Sequence, residues 1–501
     1  MKRRLAGWCA AAFLVAAQCC AAADLRGYWI FTPSAEFPEF TTLTVEGQTG
    51  SIRSLWYGDL PMLNLHADGE RLIFQIDNGN PRLEKHDLTL TPTAAGLVLT
   101  GQLWHTHLNV TARRAERKEV ESRAVPTYPL PRLRDLPGNG LARTPPMGWN
   151  SWNRFAEHID EKTVREVADT LVSSGLRDAG YVYVNIDDGW QGLRDATGKL
   201  QPNSRFPDMK RLADYLHSRG LELGIYSSPG PKSCAGYLGS YGHVTQDAQT
   251  WADWGIDYLK YDLCSGEGFY HTSETVRATY QQMGAALQAT GRPIVYSLCE
   301  YGRFDVGTWG RKVGGNLWRT TRDISDNYSS MAKIGFDQTA PPENAGPGGW
   351  NDPDMLEIGN GGMTADEYRT HMSLWSLLSA PLLLGNDIRS IAPETLAIVA
   401  NAEVIAIDQD PLGRQARMAR RVGETEIWIK PLADGSSAVG VFNRSTAPAQ
   451  LSVSWSELGL DAQPRVRDLW KHADLQSAGG SMTADMPAHG VVLVKVSPAA
   501  H

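Results

Sequence analysis

The sequence predicts an α/β protein built on a (β/α)8 TIM barrel, with an N-terminal all-β domain and a C-terminal antiparallel β-sandwich domain. Over residues 142–410, short apolar runs alternate with amphipathic helical stretches in roughly eight repeats, the pattern of such a barrel. On both sides of this region, short apolar runs are separated by turns without a helical period. At 501 residues the chain is also too long for one compact domain.

The first residues predict a signal peptide over residues 1–23. A positive start, Lys2–Arg4, precedes an apolar run over Leu5–Ala17, and Ala21–Ala23 offers a small-residue cleavage site. No later run approaches the ~20 apolar residues that a membrane-spanning helix needs. A lipoprotein signal through one of the two cysteines before the cleavage site is the alternative, but neither follows the small residue that such processing prefers. We therefore expect a periplasmic or secreted protein with no membrane association.

Residues 24–118 predict the all-β domain. Runs such as Arg71–Ile76 and Gly96–Thr100 are β-prone, and Asp77–Gly79 follows the first of them with an Asn-Gly hairpin signal. This domain could bind sugar or pack against the catalytic domain, and the second role is favoured. Residues 119–141 are rich in proline, arginine and charge, and predict a linker.

The barrel region contains apolar runs suited to buried parallel strands: Tyr181–Ile186, Leu221–Tyr226, Ile256–Tyr261, Pro293–Leu298, Asn316–Thr320 and Pro381–Leu384. A helical stripe over Val164–Val172 has Asp160 as its expected cap and Gly175 at its end. A doubly wound sheet is the alternative, but no glycine-rich phosphate loop follows a strand. Beyond the barrel, residues 411–501 predict the sandwich from five further runs: Glu426–Lys430, Ala438–Phe442, Leu451–Trp455, Val466–Leu469 and Val491–Val496.

The composition fits a globular enzyme, with 42% hydrophobic and 21% charged residues. The net charge of −8, without a basic patch, argues against nucleic acid as a partner. Sixteen tryptophans suit sugar stacking, although large cores use them too. Beyond the leader, Cys234, Cys264 and Cys299 allow one disulfide and one remaining thiol, and export permits the disulfide.

The run Ile256–Asp262 carries the clearest catalytic signal. In a strand, Lys260 and Asp262 share one face, and barrel active sites lie at the carboxyl ends of strands. A cation beside Asp262 is expected to lower the pKa of this carboxylate and keep it ionised, as a glycosidic nucleophile must be. A buried structural ion pair is the alternative.

Three further runs end in carboxylates: Asp187 and Asp188 beside Trp190, then Asp323, then Asp352 and Asp354. Adjacent carboxylates beside an aromatic ring can bind sugar hydroxyls, and a metal site is their rival, although no histidine lies at suitable spacing nearby. Together these strand ends predict a polyhydroxylated substrate and a two-carboxylate mechanism. The spacing does not choose the acid/base among Asp323, Asp352 and Asp354.

Several long motifs resemble glycoside hydrolase family 27, the α-galactosidases and α-N-acetylgalactosaminidases. They are Pro145–Trp152, Ile186–Trp190, Leu259–Asp262, Trp318–Thr321 and Gly348–Met355. The similarity runs from about Arg143 into the C-terminal β domain and leaves the N-terminal β domain outside.

The resemblance implies a retaining α-galactosidase without metal or cofactor, in which Asp262 is the nucleophile and Asp323 the acid/base. It implies that the galactose pocket is lined by Trp152, Asp187, Asp188, Tyr226, Lys260, Glu300, Arg319 and Asp354. It also implies a disulfide between Cys234 and Cys264, which leaves Cys299 without a partner. The expected substrates are terminal α-D-galactosyl residues of oligosaccharides or polysaccharide side chains, and the expected carboxyl separation is ~5–5.5 Å.

Substrate choice depends chiefly on Glu300, because the N-acetylgalactosaminidases of the family carry smaller residues there. An α-N-acetylgalactosaminidase or a β-L-arabinopyranosidase is the alternative, and the acid pair Asp187–Asp188 argues against the arabinopyranosidase. Tyr301 stands where tryptophan is common, and Arg322 where a small residue is common, which leaves the leaving-group preference open. A sugar-binding protein without catalysis is disfavoured, because both predicted catalytic aspartates are present.

Overall fold

The computed structural model describes residues 25–33, 40–55, 57–76, 85–103, 106–475 and 480–499. The predicted signal peptide and the predicted turn at Asp77–Gly79 lie outside these residues. The chain forms two compact units. The predicted fold class is confirmed, with an antiparallel β domain, a curled parallel sheet and a C-terminal β-sandwich. Within the described ranges, no helix has the length and hydrophobicity needed to cross a bilayer.

The first unit contains a closed antiparallel barrel in which each strand pairs with the next and the first pairs with the last. Its strands are β1 (Gly27–Phe31), β2 (Phe40–Glu46), β3 (Thr49–Ser54), β4 (Gly58–Asp68), β5 (Arg71–Ile76), β6 (Leu88–Thr93), β7 (Gly96–Leu103) and β8 (Thr106–Ala115). Alternate side chains point inward, so that Leu97, Leu99 and Leu103 of β7 join one apolar core. A short helix, Arg117–Glu121, follows.

The first unit is not continuous in sequence. It runs up to Pro129 and also includes Ser228–Lys232 and Leu263–Val276. Each of these two segments directly follows a strand of the parallel barrel described next.

The second unit contains eight parallel strands in the order β17-β16-β15-β14-β13-β10-β9-β18. They are β9 (Met147–Asn150), β10 (Tyr183–Asn185), β13 (Glu222–Ser227), β14 (Tyr258–Asp262), β15 (Val295–Cys299), β16 (Leu317–Arg319), β17 (Trp350–Asp352) and β18 (Leu382–Leu384), with a hairpin of β11 (Gln191–Arg194) and β12 (Leu200–Pro202) beside them. A parallel bridge between Leu356 and Leu384 joins the chain after β17 to β18 and closes the curl.

The helices of this unit lie between the strands: Trp152–Phe155, Glu161–Ser173, Met209–His217, Val244–Trp254, Ser273–Ala289, Tyr328–Ala332, Ala365–Leu378, Pro393–Val399 and Ala402–Asp408. Ser273–Ala289 begins in the first unit and continues into the second. The predicted cap of Glu161–Ser173 is confirmed, since the Asp160 side chain accepts a hydrogen bond from the Thr163 amide at 2.8 Å. Because its apolar stripe is buried, this helix packs one face against the sheet.

The second unit ends in the sandwich. One sheet has the order β19-β20-β21-β26-β23-β24, and β22 pairs with β25. The strands are β19 (Arg417–Val422), β20 (Thr425–Pro431), β21 (Ser437–Asn443), β22 (Ala449–Ser454), β23 (Arg465–Asp468), β24 (Ala473–Leu475), β25 (Ser481–Met486) and β26 (Val491–Ser497). Residues from both sheets, among them Ile427, Val453 and Met482, form one apolar core.

Candidate active site

Ten residues that the sequence predicts to be catalytic or substrate-binding lie at or beyond the carboxyl ends of barrel strands. They are Trp152 after β9, Asp187 and Asp188 after β10, Tyr226 in β13, Lys260 and Asp262 in β14, Glu300 after β15, Arg319 at the end of β16, Asp323 after it and Asp354 after β17. Because parallel barrel strands all end on one face, the fold brings these side chains to the same end of the barrel.

Asp187, after β10, and Lys260, in β14, form a buried ion pair between two strands that lie on either side of β13. Lys260 Nζ donates to Asp187 Oδ2 at 2.9 Å, and the Asn150 side-chain amide donates to the same oxygen at 2.8 Å. Burial lowers the pKa of Lys260 and is the largest single effect, but the charges of Asp187, Cys299 and Asp262 together outweigh it and raise the pKa well above its ordinary value. With an ammonium and an amide on its carboxylate, Asp187 is poorly suited to a metal ion. Nothing in the sequence pointed to Asn150 as its partner.

Asp262 is buried, with 4% of its surface exposed. The Tyr301 hydroxyl donates to Asp262 Oδ1 at 2.8 Å. Burial raises the pKa of Asp262 to about 7, although the charge of Lys260 and the Tyr301 hydrogen bond act in the opposite direction. Lys260 thus lowers the pKa of Asp262, as expected, but the expectation that this pKa stays low is wrong, because burial outweighs the charge of Lys260.

Arg319 connects two further carboxylates. Its Nη2 donates to Asp323 Oδ1 at 3.0 Å and lies 2.9 Å from Asp354 Oδ2. The Arg319 side chain is 3% exposed, whereas that of Asp323 is 68% exposed. Partial burial raises the pKa of Asp323, but the charges of Arg319 and Lys260 outweigh it and the net pKa lies below the usual value. Asp354 is held in turn by the Ile324 amide at 2.9 Å.

Among the ten predicted site residues, three buried polar atoms have no hydrogen-bond partner: Asp188 Oδ1, Glu300 Oε2 and Arg319 Nε. Buried polar groups are normally paired, because leaving one unpaired costs about 1–3 kcal/mol. Burial also raises the pKa of Asp188 to about 6 and that of Glu300 well above its usual value. Two acceptors and one donor at fixed positions are suited to the hydroxyl groups of a sugar.

Tyr301 is the contact that the sequence analysis missed. Its backbone lies in the left-handed region, with φ of 62°, which costs a residue other than glycine free energy and persists where the surroundings enforce it. The strained backbone brings the hydroxyl to Asp262 and the ring under Arg319, whose Cζ lies 5.8 Å from the ring centroid. The sequence signal was only that tyrosine replaces a common tryptophan.

The predicted disulfide between Cys234 and Cys264 is present. Cys299 carries a free, buried thiol, and Arg319 Nη1 donates to its sulfur at 3.8 Å. Cys234 Sγ lies 3.7 Å from the Tyr301 hydroxyl. The disulfide is therefore next to the tyrosine that contacts Asp262.

Two groups of side chains in the described ranges bring three potential metal ligands within 4.8 Å of one another. One group contains both disulfide cysteines, whose sulfurs are bonded to each other and offer no thiolate. The other, His217, Glu222 and Asp257, lies at the amino ends of barrel strands, and Arg292 already forms an ion pair with Asp257. Neither group adds a metal to the strand ends that carry the candidate catalytic residues.

Comparison with known proteins gives matches along most of the chain. The family model described as Alpha galactosidase A matches residues 144–410, and the one described as Alpha galactosidase C-terminal beta sandwich domain matches residues 422–496. The α-galactosidase of Cyamopsis tetragonoloba is 46% identical over 392 residues, which are 77% of this chain and 93% of that protein.

Two solved structures share the fold. Alpha-galactosidase I from Mortierella vinacea matches with a TM-score of 0.69 and 38% identity, over 73% of this chain and 99% of its own. A Bacteroides fragilis protein matches with a TM-score of 0.68 and 31% identity, over 95% of this chain and 99% of its own. The second match extends over more of this chain than the first.

Proposed function

Because this chain belongs to the α-galactosidases of glycoside hydrolase family 27, we propose that it releases terminal non-reducing α-D-galactosyl residues with retention of configuration. It is a glycoside hydrolase with α-galactosidase activity. The proposed nucleophile is Asp262 and the proposed acid/base is Asp323. The proposed sugar-binding residues are Trp152, Asp187, Asp188, Tyr226, Lys260, Glu300, Arg319 and Asp354.

One observation carries the proposal: a buried carboxylate and an exposed carboxylate occur at the same end of the barrel as three buried polar atoms without a hydrogen-bond partner. The charge of Asp323 raises the pKa of Asp262. Arg319 donates a hydrogen bond to Asp323 and lies over the ring of Tyr301, whose hydroxyl donates to Asp262. A retaining glycosidase needs such a pair, with one carboxylate against the anomeric carbon and one beside the leaving oxygen.

In the first step, an Asp262 oxygen attacks the anomeric carbon while the bond from that carbon to the leaving oxygen breaks. Asp323 gives its proton to the departing oxygen, so that an alcohol leaves and a β-galactosyl ester remains on Asp262. In the second step, Asp323 takes a proton from water, the resulting hydroxide attacks the anomeric carbon, and the ester bond breaks. α-Galactose leaves, and both carboxyl groups return to their starting states.

The proposal is tested by the configuration of the first product. Hydrolysis of a nitrophenyl α-galactoside, followed by proton NMR faster than mutarotation, is expected to show α-galactose first. An initial β-galactose signal would contradict the two-step mechanism, because a single displacement by water inverts the configuration.

The two catalytic carboxyls are expected to set the pH dependence. Coupled carboxyls titrate as a pair, with the pKa of Asp323 held low and that of Asp262 raised to about 7. Between these two values the pair carries one proton, the number that the mechanism requires. We expect kcat/KM to be highest on the acid side of neutrality and to fall as the pH rises through about 7.

In the free protein this single proton resides mainly on Asp262, so substrate has to favour its transfer to Asp323. A leaving group that covers the exposed Asp323 side chain removes water from it and raises its pKa, which acts in that direction. The measurement is kcat/KM against pH for a nitrophenyl α-galactoside. A constant value from about pH 6 to pH 9 would contradict the assignment of the pair.

Galactose is favoured over N-acetylgalactosamine by Glu300. Its buried side chain has one oxygen bound by the Gly302 amide at 3.2 Å and the other unpaired. An unpaired carboxyl oxygen can accept a hydrogen bond from a free 2-hydroxyl, and its size disfavours an acetamido group. The proposed natural substrates are α-galactosyl oligosaccharides or polysaccharide side chains.

The proposed location is the periplasm or the medium. The leader predicted over residues 1–23 and the disulfide between Cys234 and Cys264 support it, because disulfides persist in oxidising compartments. Fractionation of producing cells tests it, and activity confined to the cytoplasmic fraction would contradict it.

A further inference from the structure

The loop that follows Asp262 folds with the N-terminal β barrel. Leu263–Val276 begins at the residue after Asp262, yet it belongs to the first compact unit, as does Ser228–Lys232, which follows β13. Within the loop, Cys264–Gly268 forms one short 3-10 helix. The residues Ser265–Gly268 of this helix are buried, whereas His271 and Thr272 further along the loop are exposed.

The loop meets the N-terminal barrel at the turn before β4, backbone against backbone. A Cβ atom at Gly268 would overlap the main-chain atoms of Tyr57, so the contact leaves no room for any side chain. On the turn, a Cβ at Gly58 would lie 3.3 Å from the carbonyl oxygen of Gly268 and 3.5 Å from the Phe269 ring. Gly58 has φ of 70°, a conformation that favours glycine. Both sides of the contact therefore depend on glycine.

The second segment holds the loop from another side. Ser265 Oγ donates to the Lys232 carbonyl at 2.6 Å and accepts from the Lys232 amide at 2.9 Å. Gly230 approaches so closely that a Cβ there would overlap Ser265 and the Gly266 amide. The loop is thus packed between the turn at Tyr57–Gly58 and the segment Ser228–Lys232.

The backbone next to Asp262 is also strained. Cys264, two residues after Asp262, has φ of 31°, which a side-chain-bearing residue adopts only when its surroundings enforce it. The disulfide to Cys234 constrains Cys264 itself, and the contacts at Ser265 and Gly268 constrain the residues that follow it. A change at Gly268 is therefore expected to be transmitted to the end of β14, where a shift of about 1 Å at a catalytic group can cost on the order of 100-fold in rate.

We propose that the N-terminal β barrel is a positioning element for catalysis: its turn at Tyr57–Gly58 fixes the loop after β14 and thereby holds Asp262 in place. The inference depends on the proposed role of Asp262 as nucleophile. It gives residues 25–121 a function in the hydrolysis itself, through Gly268 as a positioning residue, without requiring that the domain bind sugar.

The test compares two glycine-to-alanine variants of the full chain. Gly268→Ala inserts a Cβ into the backbone of Tyr57, whereas Gly138→Ala is the matched control, because a Cβ at Gly138 meets nothing within 4 Å and neither position has a positive φ. We expect Gly268→Ala to lower kcat for a nitrophenyl α-galactoside about 10- to 100-fold with a small change in KM. Gly138→Ala is expected to retain the wild-type values.

The pH profile separates positioning from a general loss of structure. If the loop loosens, water reaches Asp262 and its pKa falls from about 7 towards its ordinary value. The alkaline limb of kcat/KM in Gly268→Ala should then move to lower pH. A folded Gly268→Ala protein with wild-type kcat and an unshifted profile would overturn the inference.

If Gly268→Ala does not fold, the same kinetic measurements on Phe269→Ala test the inference, because this variant removes the ring next to Gly58 without adding atoms. A fall in kcat with a shifted profile would support the inference, and wild-type kinetics would overturn it. Neither result touches the proposed function, which fails instead if an Asp262 variant of the otherwise unchanged chain keeps its activity.

Discussion

Replacement of Asp262 by glycine is expected to reduce hydrolysis of a nitrophenyl α-galactoside by roughly 10⁴-fold or more, since removal of a covalent nucleophile has effects of that order. The cavity left on the β face of the sugar should admit a small anion. Added azide is therefore expected to restore turnover and to give β-galactosyl azide. Mass spectrometry and NMR of the product measure this, and an azide of α configuration would assign the nucleophile elsewhere.

A structural role for Asp262 predicts that its replacement lowers Tm, whereas a catalytic role predicts a loss of activity alone. The raised pKa of Asp262 means that its ionised form is unfavourable in the folded state, so that near pH 8 the carboxylate lowers stability. Asp262→Asn should then abolish activity without lowering Tm. Asp257→Asn, five residues earlier, is the control: Asp257 pairs with Arg292 and accepts from the Leu223 amide at 2.9 Å. It should lower Tm while the folded enzyme keeps its kcat.

Replacement of Asp323 by alanine has the second largest expected effect. Loss of the acid/base should lower kcat/KM by about 10²- to 10⁴-fold for galactosides with poor leaving groups. The loss should be much smaller for a nitrophenyl leaving group, which departs without a proton. Azide should attack the galactosyl ester from the opposite face and give α-galactosyl azide, the reverse of the Asp262 result.

The control for Asp323→Ala is Asp178→Ala. The Asp178 side chain is 69% exposed and pairs with Arg177, against 68% exposure and an Arg319 pair for Asp323. Both variants thus remove an exposed carboxylate that is paired with an arginine. An equal fall in kcat/KM in both variants would contradict the acid/base assignment, and so would a fall in Asp323→Ala that does not depend on the leaving group.

Strand periodicity predicted Asp262 and the fold class, because a long apolar run ending in a carboxylate is a strong local pattern. The strand β9 was missed and β17 was identified only by its terminal aspartates, because they are four and three residues long and contain glycine, asparagine or aspartate. Neighbouring strands, rather than local propensity, hold them in the sheet. The resemblance, not the periodicity, singled out Asp323 from Asp352 and Asp354.

Other features of the site could not be predicted from the sequence, because they depend on contacts between distant parts of the chain. Lys260 could be placed on the face of Asp262, but its partner Asp187 comes from a different strand and was not predictable from spacing. Tyr301 reaches Asp262 only through an unusual backbone angle. The contact of Gly268 with Tyr57 joins segments far apart in sequence, and a glycine in a loop gave no sign of it.

The unequal exposure of the two catalytic carboxylates has a consequence for the fate of the intermediate. With Asp262 4% exposed and Asp323 68% exposed, the galactosyl ester would be sealed on one side and open on the other. Acceptors then reach it only through the route by which the leaving group departs. An alcohol that enters there competes with water, so concentrated sugar should divert the enzyme from hydrolysis to transglycosylation, forming new α-galactosides.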